Sequence, residues 1–95
     1  MQKEITEEHL ERYFHITGEA LTEAKDALDH SRTDSARDFL DMAQRYFDDA
    51  GYFRDEKHDY VLAFAALNYA HGWLDAGARI GLFKVKNSRL FTVDD

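Results

Sequence analysis

Residues 59–83 read DYVLAFAALNYAHGWLDAGARIGLF, with no proline and almost no conventional solvent face. Leu62, Ala66, Tyr69, Ala70, Trp73, Ala76, Gly77 and Ile80 fall on one helical face, and Ala63, Leu67, Leu74 and Ala78 extend it well past a single stripe. One helix over 59–82 would be about 36 Å long at the usual rise. Its small residues, including Gly77 and Gly81 four apart, let a neighbouring backbone approach closely. The polar members Asn68, His71, Asp75 and Arg79 share a narrow stripe. A helix this apolar must be covered, which decides for an all-α bundle.

Outward from it, residues 34–54 carry Ala36, Phe39, Leu40, Ala43, Tyr46, Phe47, Ala50 and Phe53 on one side and Asp38, Asp41, Gln44, Arg45 and Asp48 on the other. Residues 6–29 alternate Leu10, Phe14, Thr17, Leu21, Ala24 and Leu28 by four and three, behind Thr6 as N-cap and Glu7 and Glu8 at the positive end of the dipole. The polar breaks DHSRTD at 29–34, with Thr33 or Asp34 capping the next helix, and RDEKHD at 54–59 are short turns. Short connections make antiparallel neighbours, so we expect a three-helix up-down-up bundle over 1–83. In the C-terminal arm, 84–95, KVKNSRLFTV alternates loosely around Asn87-Ser88 and reads as a short hairpin or an extended arm. It would have to dock through Val85, Leu90, Phe91 and Val93.

Ninety-five residues make one small domain, and 44% hydrophobic and 14% aromatic residues supply its core. A net charge of −7 opposes a phosphate backbone. Nucleic acid is therefore not an expected partner, although Lys84, Lys86 and Arg89 form a local basic cluster. With no cysteine there are no disulfides or thiolate ligands, which fits a reducing cytoplasm. MQKEITEEHLER has no apolar h-region and no stretch reaches the length of a membrane span, so a soluble cytoplasmic chain without a membrane role is expected.

His71, Asp75 and Arg79 stand at i, i+4 and i+8, three residues after Asn68. His71 oriented by Asp75 is the arrangement of a general base or metal ligand. The same spacing also gives an ordinary Asp75–Arg79 ion pair on a wet face, or a polar seam between two chains. We take these four as the candidate binding residues and expect no catalytic set. Glu11–His15 and Asp26–His30 share helical spacing but point outward, and neither Glu-x-x-His nor His-Glu-x-x-His occurs, so no metal site and no cofactor are expected. Glycines 72, 77 and 81 read as mid-helix residues and make no phosphate cradle. Tyr52 lies off the apolar stripe and, with Tyr13 and Tyr46, suggests an aromatic surface.

FLDMAQRYFDDAGYF at 39–53 and the 59–83 stretch, with ALTEAKDAL at 20–28 fitting more loosely, resemble an archaeal family known as domain of unknown function 357. The resemblance implies a small all-helical archaeal protein and no particular activity. The chain also resembles the HEPN helical bundles in its Ala- and Tyr-rich third helix. Some of those proteins are ribonucleases with four to six residues between an Arg and the His that follows it. Arg54 and His58 leave only three residues between, so only the bundle and the dimer habit would carry over.

The expected function is a non-enzymatic interaction module that self-associates through its second and third helices, with Tyr69, Trp73, Gly77 and Ile80 at the interface, and binds another protein. Two amphipathic helices cover only part of the third, and a homodimer would cover the rest. The alternative is a ligand- or nucleic-acid-associated protein using the polar stripe or the basic arm.

Overall fold

The computed structural model describes residues 4–93. Three helices, α1 (Glu7–Lys25), α2 (Thr33–Asp55) and α3 (Tyr60–Arg79), form the expected all-α bundle. The Thr6 hydroxyl accepts the His9 N–H at 3.0 Å and so caps α1 as anticipated. Asp59 does the same for α3 through the Leu62 N–H. Neither Thr33 nor Asp34 caps α2. Arg32 occupies that position without a side-chain cap bond, and the Thr33 hydroxyl donates back to the His30 carbonyl.

The small residues do their packing within the chain. Ala36, Ala43 and Ala50, seven apart on α2, are fully buried, as are Ala63 and Ala70 on α3. Side chains this short let two helices approach closely at little entropic cost. The core has two parts joined by Phe47. One gathers Leu10, Phe14, Ala50, Ala63, Ala66 and Leu67. The other gathers Leu21, Ala43, Leu74 and Ala78 with Phe83, Leu90 and Phe91. The last three belong to the C-terminal arm, which docks on the bundle and covers part of α3. Part of the surface that the sequence reading assigns to a second chain, at Gly77, is therefore covered by the chain's own arm.

Both outer boundaries differ from expectation because of that arm. Helix α1 stops at Lys25 rather than 29, since the next peptide groups pair elsewhere. The Lys84 N–H reaches the Ala27 carbonyl at 2.7 Å, the Asp29 N–H reaches the Leu82 carbonyl at 2.8 Å, and Leu28 and Phe83 form an antiparallel bridge. Helix α3 stops at Arg79 rather than 82 because Gly81 turns left-handed, with φ of 79°. The Leu82 N–H then bonds the Gly77 carbonyl at 2.8 Å and the Gly81 N–H bonds the Ala78 carbonyl at 3.1 Å, which closes the helix with a Schellman motif. Gly81 is a cap, not a mid-helix residue, and the arm begins at Ile80 rather than 84.

The arm is no hairpin. Its turn is built on Asn87, whose carbonyl accepts the Leu90 and Phe91 N–H groups and whose side-chain oxygen accepts that of Arg89. The Cα trace measures 41 × 27 × 16 Å, a thin plate in which α2 and α3 present an outer face away from α1.

Candidate functional site

The polar stripe of α3 meets the arm. The His71 ring stands half-buried between α1 and the arm, with Nε2 2.6 Å from the Leu90 carbonyl and Nδ1 3.0 Å from Thr17 Oγ1. A carbonyl can only accept, so Nε2 carries the hydrogen. In the neutral ring Nδ1 then accepts from the buried Thr17 hydroxyl. Both nitrogens are thus engaged in bridging α1, α3 and the arm. Asp75 does not orient the imidazole, since its Oδ1 accepts the Thr92 N–H at 2.8 Å. Asn68 is exposed, and Arg79 lies in the last turn, where its charge complements the helix dipole. The structure divides the four predicted residues: two hold the arm, and two face outward.

The arm is fastened to α1 as well. Arg89 donates to Glu19 at 2.7 Å and Asn87 to Glu23 at 3.2 Å. The Arg89 hydrogen bond, with help from His15, holds the Glu19 carboxyl below its ordinary range. Between arm and helix remains a cleft of about 320 Å³ lined by His71, Asp75 and residues 88–93. Among the described residues no three His, Asp or Glu side chains converge on a common point. The basic cluster is largely committed within the chain, with Arg89 on Glu19 and Lys84 3.8 Å from Asp29.

Asp29 is the residue that sequence reasoning missed. It is buried, and its carboxylate accepts the Ser31 hydroxyl at 2.8 Å, the Ser31 N–H at 3.0 Å and Arg32 Nε at 2.8 Å. Arg32 in turn donates to the Ile80 carbonyl at the end of α3. Those Ser31 and Arg32 bonds, with Lys84 beyond them, hold the Asp29 carboxyl far below the usual carboxylate range. One side chain ties the α1–α2 turn, the end of α3 and the start of the arm together. Its signal was present in DHSRTD, because Asp followed two residues later by Ser is an Asx-turn pattern.

The predicted interface residues separate in the same way. Gly77 is buried and receives Phe83 of its own chain; a Cβ there would overlap the ring, whose Cδ2 would lie only 2.7 Å away. A second chain would have to displace Phe83 to reach it. The other three line the outer face of α2 and α3. Tyr69 packs edge-on against Tyr46 and Trp73 against Phe39, with centroids 4.3 and 5.0 Å apart. Leu62 and Tyr69 on α3 and the capping residue Ile80, in line with them, remain 46%, 54% and 52% exposed. The aromatic surface suggested for Tyr13, Tyr46 and Tyr52 is not assembled: Tyr13 packs on Phe64, Tyr46 on Tyr69, and Tyr52 stands exposed beside Phe53.

No helix among the described residues is long and apolar enough to cross a membrane. The molecule is thus an all-α three-helix bundle strapped by a C-terminal arm, with an imidazole bridge under the strap and an apolar outer face. The chain belongs to the family described as Protein of unknown function (DUF357), whose model matches residues 12–83. No curated protein and no solved structure matches it.

Proposed function

We propose that the protein is a non-catalytic interaction module that pairs with a second copy of itself through the outer face of α2 and α3. The observation that carries this reading is the exposed apolar stripe of Leu62, Tyr69 and Ile80, with Tyr69 packed on the half-buried Tyr46 and the half-buried Phe39–Trp73 pair alongside. Asp75 and Arg79 are the only acid and the only Lys or Arg of α3, and Asp75 turns to the arm, so α3 itself brings no acid to this face despite the net charge of −7. Gly72 has open space where a Cβ would stand, and Ala65 and Ala76 beside it are exposed, so a facing helix can lie close. A face about 30 Å long and two helices wide offers about 600 Å² per partner, below the about 800 Å² of a standard interface. That size suits a dimer that dissociates on dilution.

The test is a full-length Leu62→Glu/Tyr69→Glu double variant compared with wild type by light scattering after gel filtration. Both positions are exposed, so the fold should survive. A dimeric wild type with a monomeric, helical variant supports the reading. Identical masses for the two proteins reject it.

A further inference from the structure

The arm is gripped by its main chain. His71 bonds the Leu90 carbonyl and Asp75 bonds the Thr92 N–H, so one side chain holds each of the two peptide groups that flank Phe91. His71 and Asp75 are one helical turn apart, about 6 Å along α3, which sets them beside successive peptide groups. Bonds to the main chain carry no information about which residue is held. Selection comes from the burial of Leu90 and Phe91 and from the acids of α1, where Glu19 takes Arg89 and Glu23 takes Asn87. The gripping residues Thr17, Glu19, Glu23, His71 and Asp75 all lie within the segment matched by the family model, whereas the bound residues 87–93 lie beyond it. A cleft of about 320 Å³ lined by His71, Asp75 and residues 88–93 lies beside the grip.

We infer that the groove between α1 and α3 is a peptide-reading site, filled in cis by residues 87–93. In trans it accepts a segment of a different protein with the same chemistry, a basic residue followed by two bulky apolar residues of which the second is aromatic. The arm is then an intramolecular competitor for that partner. This surface is distinct from the outer face of α2 and α3, and neither reading depends on the other.

Two measurements on the full chain test it. Hydrogen exchange of wild type compares the Thr92 amide with the Leu74 amide in the core of α3. Exchange of Thr92 about a hundredfold faster or more means that the arm opens locally. Equal protection would make the arm inseparable from the core and overturn the proposal. The second measurement uses the full-length Leu90→Asp/Phe91→Asp variant, whose own arm cannot seat, and a fluorescent capped peptide of residues 87–93, NSRLFTV. The expected result is saturable binding by the variant, weakened about tenfold by a further Asp75→Ala and lost with a scrambled peptide. A folded variant that ignores the peptide, or a variant that cannot fold without its arm, overturns the proposal. A wild-type dimer that is lost in this variant but kept in Leu62→Glu/Tyr69→Glu would identify a second copy's arm as the occupant, and would overturn the partner named here.

Discussion

At the residue scale, the informative side chains are those that let remote parts of the chain touch. Gly77 leaves room for the buried Phe83 ring, which seals the end of the core nearest the arm. Gly77→Ala gains about 1 kcal/mol of helix propensity but forces the ring aside, at a cost of about 1–3 kcal/mol. We therefore expect net destabilisation by about 1 kcal/mol in urea unfolding, reduced when Phe83→Leu supplies the space. Asp29 makes the pH prediction. Its folded pKa lies below the ordinary value of 3.8, so its contribution is present above that value and is lost as pH falls through and below it. Asp29→Asn should melt below wild type at neutral pH, and the gap should narrow as pH falls below about 4. A gap that stays constant with pH would mean that the ionised carboxylate is not what matters. Neither role was legible as such: Gly77 was visible as a site of close approach, but nothing local says whether the approaching group comes from the same chain.

At the scale of elements, the helices were legible because apolar spacing and caps act locally. Leu10, Phe14, Leu21 and Ala24 are all buried, and Thr6 caps as its side-chain chemistry dictates. Boundaries failed where the winning interaction was remote. Ala27 and Leu28 continue the apolar pattern of α1, yet their backbone is claimed by Phe83 and Lys84, dozens of residues away. Gly81 carried a readable signal, since glycine followed by Leu82 at a helix end is the Schellman signature. Its pairing with Gly77 at helical spacing concealed it. Gly81→Ala should cost about 1–2 kcal/mol by thermal melting, because φ is positive there. The added Cβ would also stand 3.0 Å from the Arg32 guanidinium that bonds the Ile80 carbonyl. An unchanged melt would show that the α3 cap does not anchor the arm.

At the scale of the molecule, the excess of apolar surface on α3 has two destinations. The arm covers the side near α1, and the strip of Leu62, Tyr69 and Ile80 stays open beside α2. Of the candidate site, the sequence revealed the stripe but not its division, because the spacing that places His71, Asp75 and Arg79 on one face does not say what lies over it. The family match adds no activity, so the open face is what the functional reading rests on. The most direct test is sedimentation equilibrium of wild-type protein over a wide concentration range. The account predicts a reversible rise from monomer to twice the chain mass of 11.1 kDa as concentration increases. A single 11.1 kDa species at every concentration would contradict it.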